Sequence, residues 1–310
     1  MGDLAADLRQ PDSQTASPVG ETLMSDVWYV AAQSRNVKQG RPRDIPICNG
    51  VLRLARQRKG GIEARFDGRP AKVVESEDLV WFFYPGVNCP VNAKSEPYKL
   101  GGPKGKVRFC ENVVIPAHQD DAAYGLLDPA HTPFVHKSPL WRGNGILKPK
   151  TKPFEPNDFG WTMMPHAPVN SDIYKLIGGQ IRVRIEFRMP GLRAEYIENK
   201  AHTVLGLTAL TPIDDRNTRL RQIFFWNSPI LDLIRPLAPL AAGPFLKQDV
   251  NIMGLRRQNE TFKPGKGTLV GDSDKQFLWY LAHKKAWQRA RAESVPFQNP
   301  HKAQTLHWKT

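Results

Sequence analysis

The stretch LLDPAHTPFVH, residues 126–136, sets an acid and two histidines among apolar neighbours: Asp128, His131 and His136. Two imidazoles close in sequence can ligate a divalent metal through neutral nitrogen, or they can be incidental polar residues at a helix start. The second reading has a definite form. Asp128 is a good N-cap and Pro129 suits the first helical position, which puts His131 in the first turn and His136 just past it. The spacing H-x4-H constrains the first reading, because five residues advance an ideal helix by about 500°, or about 140° net. The two rings then diverge. One ion takes both only if the helix bends or ends between them, and Pro133 lies in that interval to supply the break.

Two histidines are half a site. One more carboxylate completes a facial set of two His and one acid, which suits ferrous iron and leaves positions open for O₂ and a substrate. Asp128, three residues before His131, is better placed to orient a ligand than to be one. The separate candidate is Asp249 in GPFLKQDVNIMGLRRQ. An acid among Phe245, Leu246, Val250, Ile252 and Met253 needs a partner, either a metal or an arginine such as Arg256. His118, beside Asp120 and Asp121, reads as a surface residue, and His166 and His202 have no motif around them.

These residues need a scaffold, and the hydrophobic pattern outlines one. VWYVAA from Val27, GVLRLARQRKGG and PAKVVESEDLVWFFYPG are short strands bounded by Gly and Pro, a small all-β unit that ends near the connector VNCPVNAKSEPYKLGGPKG. CENVVIPAHQDDAAYGLLDPAHTPFVH reads as helical, interrupted at Pro116 and Pro129. FGWTMM, GQIRVRIEFRM, LRAEYIE, HTVLGLTALTPI and TRLRQIFFWN then read as an antiparallel meander, and the alternation in IRVRIEF marks one buried and one wet face. Helix returns over residues 228–260 and in DKQFLWYLAHKKAWQRARAES. The fold class is α+β, with helices on one face of a curved sheet.

Composition sets the outer limits. A chain of 310 residues has room for two ordinary domains. Residues 1–24 are polar and read as a disordered tail, neither a secretory signal nor a transit peptide, with Met24 as a possible alternative start. Cys48, Cys89 and Cys110 lack close pairing, which argues against a disulfide framework and for a cytoplasmic address. ILDLIRPLAPLAAGPFL (230–246) holds Asp232, Arg235 and three prolines, too broken for a membrane span and read as a buried, kinked helix ahead of a monotopic membrane contact. The net charge of +14 is concentrated at 35–72 (eleven Lys/Arg, three acids) and 256–310 (eleven, four). Such patches suit an acidic partner or a polyanion, although no nucleic-acid-binding motif is present.

At this point the motifs combine into a resemblance. D-x2-H-x4-H, then TPIDDRNTRLRQIFFW, then F-x2-QD resembles the catalytic domain of Rieske non-haem iron oxygenases, the alpha subunits of ring-hydroxylating systems. VWYVAAQSRNVKQGRP is similar to the start of their Rieske domain and VVESEDLVWFFYPG to its end, so the likeness spans most of 25–295. It implies a truncated Rieske-like β domain at 25–100, a helix-grip catalytic domain at 101–295 and a C-terminal tail at 296–310. By this resemblance His131, His136 and Asp249 hold a mononuclear Fe(II), and Asp128 is the bridging carboxylate that relays electrons from a neighbouring subunit of a homotrimer. The implied reaction is O₂-dependent hydroxylation or demethylation of an aromatic or other hydrophobic small molecule, with a ferredoxin or reductase as electron donor. Phe134, Trp141, Trp161, Met163, Phe224 and Trp226 are candidate apolar walls for that substrate.

The sequence also departs from this family. A Rieske [2Fe–2S] centre needs two Cys and two His, which the family supplies as C-x-H and C-x2-H. No histidine precedes His118, and the segment between RLARQRKGG and IEARFDGRP that should carry both motifs is absent. The three cysteines read as small core residues. Arg256 stands seven residues after Asp249, where the family has glutamine. Electrons then enter from outside, through a cluster-bearing subunit docked on the 35–72 patch, or the chain is a truncated or misassembled product of a cluster-bearing parent, and the second reading is favoured. Two other classes compete: a non-catalytic helix-grip ligand-binding or regulatory subunit, and a zinc hydrolase, against which the lack of an H-E-x-x-H base counts.

Overall fold

In the computed structural model, which describes residues 23–86, 96–103, 105–136, 147–168, 177–262 and 271–310, the alternating β-branched and aromatic runs pair into three antiparallel sheets. Residues 1–22 of the expected tail, and Cys89, lie outside the described residues. Met24, given to that tail by its polar surroundings, is instead core: it is buried and its carbonyl accepts the Tyr29 hydroxyl at 3.1 Å.

The N-terminal strands are β1 (Val27–Gln33), β2 (Arg43–Ile47), β3 (Gly50–Arg56), β4 (Ile62–Phe66), β5 (Arg69–Pro70), β6 (Val73–Ser76) and β7 (Leu79–Tyr84). They form sheets of order β1-β7-β6 and β2-β3-β4-β5. A tight turn closed by the Gln57 N–H on the Gly61 carbonyl (2.8 Å) carries the chain directly from β3 into β4.

The third sheet contains β8 (Phe109–Ile115), β9 (Pro149–Asn157), β10 (Gly160–His166), β11 (Arg182–Arg188), β12 (Leu192–Glu198), β13 (Thr203–Asp214), β14 (Asn217–Trp226) and β15 (Gln304–Lys309), in the order β15-β9-β10-β11-β12-β13-β14-β8. Both edges correct the sequence reading. Cys110–Ile115, read as helical, lies in β8, because a short apolar run fits either period and the free edge of β14 decides between them. Residues 296–310, read as a tail, end in β15, where Leu306 and Trp308 alternate with polar neighbours and are buried against β9.

Nine consecutive residues of β13, Val204–Pro212, are buried, as expected of a strand covered on both faces. Leu205, Leu207 and Ala209 pack with Trp28, Val30 and Trp81 of the N-terminal sheet. Leu210 belongs to the cluster on the other face, with Ala122, Ala123, Leu127, Leu246 and Met253 from the helices.

Those helices are α1 (Gln119–Leu127), α2 (Thr132–Val135), α3 (Pro229–Ile234), α4 (Ala238–Phe262) and α5 (Lys275–Ala292). A 3₁₀ turn at Arg235–Leu237 separates α3 from α4, consistent with the prolines there. The 230–246 segment is less buried than expected: Ile230, Leu233, Leu237 and Leu240 are exposed, and burial begins at Phe245 and Leu246, where α4 reaches the core. Among the described residues no helix is long and apolar enough to cross a membrane. α5 anchors α1 through a buried ion pair, with Lys284 Nζ on Asp120 Oδ1 (2.9 Å) and Oδ2 (2.6 Å) and the Tyr280 hydroxyl on Oδ1 (2.6 Å). His118 is not a surface residue. It caps α1, accepting the Asp120 N–H at Nδ1 (3.2 Å), and is buried.

Candidate metal centre

α1 ends at Leu127, and Asp128 is its C-cap rather than the N-cap of a following helix. The Asp128 carboxylate accepts the Ala130 N–H at 2.8 Å, which closes the turn through Pro129. Its backbone carbonyl faces Nδ1 of His131 at 2.5 Å. α2 is a single turn with His131 as N-cap and His136 as C-cap. The two histidines therefore flank the turn instead of riding on it, and this removes the 140° problem raised by their spacing, an angle of about that size applying only within one continuous helix. Pro133 is not the break. It sits in the first turn, where its missing N–H is tolerated, and the helix simply ends at His136.

Asp249 arrives from the middle of α4. Its Oδ1 lies 3.4 Å from His136 Nε2 and 4.0 Å from His131 Nε2, and the three ligand atoms all fall within 4.8 Å of one another. The outer nitrogen of each ring meets an oxygen: His131 Nδ1 the Asp128 carbonyl, His136 Nδ1 the Gln248 Oε1 at 3.2 Å. An oxygen that can only accept places the proton on Nδ1, which leaves the Nε2 lone pair turned toward Asp249. Phe245 stacks on the His136 ring at 3.8 Å and 16°, covering one face of it.

The electrostatics agree with a cation at this point. Burial, and then the neighbouring His131, push His136 down to about 4, so it is neutral at neutral pH as a ligand must be. Burial pushes the Asp249 carboxyl up to about 6 against the opposing pull of His131. Among the described residues Asp249 pairs with no lysine or arginine. Arg256, the alternative partner raised by the sequence, pairs with Asp121 at 3.0 Å and lies over the Tyr124 ring. Nitrogen and oxygen ligands at about 2.0–2.2 Å from one ion stand about 3 Å apart when adjacent, so these donors, at 3.4 Å, 4.0 Å and within 4.8 Å of one another, draw inward to close on an ion. The set fits a divalent metal.

Gln248 and Phe245 belong to the F-x2-QD motif, but their work could not be read there: the motif names them without saying that α2 delivers His136 between them. The proposed substrate walls divide. Trp161 and Met163 are buried in the main core, Trp161 stacked on Phe187 with its Nε1 donating to Gln276 Oε1 at 3.1 Å. Trp226 is buried in a separate cluster and donates to Asp232 at 3.0 Å. Phe134 is 68% exposed on α2. Trp141 lies outside the described residues. Phe224, half-buried beside Gly206, keeps its candidacy. The five described residues fall in different places, because size and aromaticity serve a sheet core as readily as a pocket.

No protein-family model and no curated protein sequence matches the chain. Solved structures do. A dicamba monooxygenase bound to dicamba superposes with a TM-score of 0.68 at 15% identity, over 88% of this chain and 99% of that one. The same enzyme with non-haem iron and dicamba gives 0.61 at 15% identity, over 88% and 100%. The oxygenase of carbazole 1,9a-dioxygenase, in reduced complex with its ferredoxin, gives 0.58 at 12% identity, over 89% and 94%. The α+β fold of this chain, a large antiparallel sheet with helices on one face and a small β unit on the other, is the fold of these oxygenase chains.

Proposed function

We propose that the chain is a Rieske-type oxygenase of the cytoplasm that hydroxylates or demethylates an aromatic or other hydrophobic small molecule at a mononuclear Fe(II) held by His131, His136 and Asp249. The observation that carries this reading is the convergence of two Nδ1-anchored imidazoles and a desolvated carboxylate from a separate helix on one point. Ferrous iron held by such a triad supplies activation of O₂ beside a bound substrate. The protein's own groups hold and orient. The Asp128 carbonyl and Gln248 fix the two rings, and Phe245 shields His136 from water.

Asp128, whose backbone carbonyl meets His131 Nδ1, is the proposed relay, through its carboxylate, for electrons from a neighbouring subunit of a homotrimer. Cys48 is buried and Cys110 half-buried, burial raises both thiols, and neither stands in a C-x-H or C-x2-H motif. We therefore place the [2Fe–2S] centre on another chain, a ferredoxin, a reductase or a cluster-bearing subunit. The likeness to an oxygenase solved with its ferredoxin supports that choice.

Anaerobic metal analysis with acid-labile sulfide on the same sample tests the reading. The expected result is about one iron per chain without sulfide. A red-brown preparation with sulfide overturns the missing cluster, and a folded protein that takes up no iron makes the chain a ligand-binding subunit. His131→Ala and His136→Ala are each expected to abolish iron retention with unchanged circular dichroism. Unchanged iron in both sinks the triad.

A further inference from the structure

On the other side of the large sheet from the histidines, a cleft of about 220 Å³ opens between β1, β2, β8 and β14. Arg219 and Arg221 alternate along β14 with residues of the helix-side core and share the face of Ile223 and Phe225, which packs on the N-terminal sheet. Arg221 is buried and its guanidinium donates to the Val30 carbonyl at 2.7 Å, the Ala31 carbonyl and the Thr211 hydroxyl at 3.0 Å. Those carbonyls sit where the register of β1 on β7 slips between Val30 and Ala32, so Arg221 satisfies a bulge that the strand ladder leaves open. Arg219, half-buried, meets only the Pro46 carbonyl, at 3.5 Å, among the described residues. Arg43 is exposed on β2 at the same cleft.

Three guanidinium groups thus line one concavity. The carboxylate that also lines it, Asp44, lies 3.5 Å from Arg53, outside the cleft. Among the described residues none of the three arginines has a carboxylate partner. Burial, and then the charges of Arg219 and Arg43, hold Arg221 down to about 9, and burial followed by Arg43 lowers Arg219. Arginine keeps its charge regardless, so the cleft is a fixed concentration of positive potential in a partly desolvated place. Such an arrangement favours an anion whose two oxygens match the guanidinium fork, and the amides of Asn36 and Asn112 add donors to the lining. Its volume falls below the roughly 300–1,000 Å³ of pockets for larger ligands, which suits an ion or a small acid.

We propose that this cleft binds a small oxyanion, a phosphate or carboxylate group, between Arg43 and Arg219 with the buried charge of Arg221 behind it. The site is separate from the metal centre and does not depend on the oxygenase reading.

The full chain is titrated with inorganic phosphate and, separately, with succinate, at ionic strength held constant with chloride so that screening of the +14 chain cancels. Thermal unfolding and calorimetry read the binding, since a ligand of the folded state raises the transition temperature. A saturable response to either anion, weakened at least about tenfold by Arg219→Gln and by Arg43→Gln but not by Lys59→Gln, supports the site. The stronger arm names the group. Arg221 is left intact because it holds the β1 bulge, and circular dichroism confirms that the variants fold. No saturable response to either anion, or a response in either arginine variant that stays within about tenfold of the parent chain's, overturns the proposal. So does far tighter binding of a polyglutamate peptide, which makes the cleft part of a protein-docking surface.

Discussion

His136 shows how much of a candidate metal site lies outside its proposed ligands. Its Nε2 points at Asp249, but Gln248 decides which nitrogen carries the proton and Phe245 decides which face of the ring meets water. Gln248→Ala removes the Nδ1 acceptor, so the neutral ring can place its proton on Nε2 and withdraw its lone pair from the metal. Loss of such an orienting partner typically weakens metal affinity about 10- to 100-fold. Iron titration should show that drop for Gln248→Ala and a smaller one for Gln248→Glu, which keeps an accepting oxygen. Equal affinity in Gln248→Ala and the parent chain means that Gln248 does not set the tautomer. The three candidate ligands, which the fold brings within 4.8 Å of one another, were legible in the sequence because their types and flanks form a pattern. Their supports were not, since Gln248 reaches His136 across 112 positions and only the packing of α4 beside α2 makes them neighbours.

The elements were legible where one period was sustained over many residues. IRVRIEF alternates for seven residues and all but its first residue lies in β11, and the apolar run from Val204 lies in the doubly covered β13. Legibility failed where tertiary pairing decides between states. β8 reads as part of a helix until β14 offers it an edge, and β15 reads as a tail until β9 does. The Asp120–Lys284 pair was hidden for the same reason, since 164 positions separate the two and only the packing of α5 on α1 makes them neighbours. Both are buried, and Tyr280 satisfies a further lone pair of the carboxylate. Breaking a buried pair from one side strands the other charge, at a cost of roughly 3–5 kcal/mol. Lys284→Met should therefore lower the unfolding free energy read from urea titration by that order, and Asp120→Asn in the same chain should recover part of the loss. α1 carries Asp128 at its end, so the loosened helix should also weaken iron binding. Unchanged stability in Lys284→Met would show that the pair is not what holds α1 to α5.

At the scale of the whole molecule, the C-terminal segment fastens the sheet to α5. Asn299 bridges the carbonyls of Asn157 and Gly160, each at 2.7 Å, and His301 packs edge-on against Trp161. His283 on α5 faces His301 with ring centroids 5.5 Å apart, enclosed by Phe159 and Phe297. Both nitrogens of His283 and Nε2 of His301 are buried without a hydrogen-bond partner among the described residues. Burial, and then His301, push His283 down to about 3, and burial pushes His301 down to about 4. The unfolded chain takes up these protons near pH 6.5, whereas the folded chain refuses them until the lower values, so the unfolded state binds more protons throughout that window. Stability is therefore intact above about pH 6.5 and falls as pH drops, by about 1.4 kcal/mol per unit for each group, levelling off below its folded value. Asp249, raised to about 6 by burial, works the other way over a narrower range, and bound iron removes its contribution. Urea unfolding of the iron-loaded chain between pH 7.5 and 4.5 should show the fall. His283→Leu should reduce its slope by about 1.4 kcal/mol per unit below pH 6.5, whatever constant cost the altered packing adds. If the variant and the parent chain lose stability with the same slope, the buried histidines do not set the acid limit of the fold.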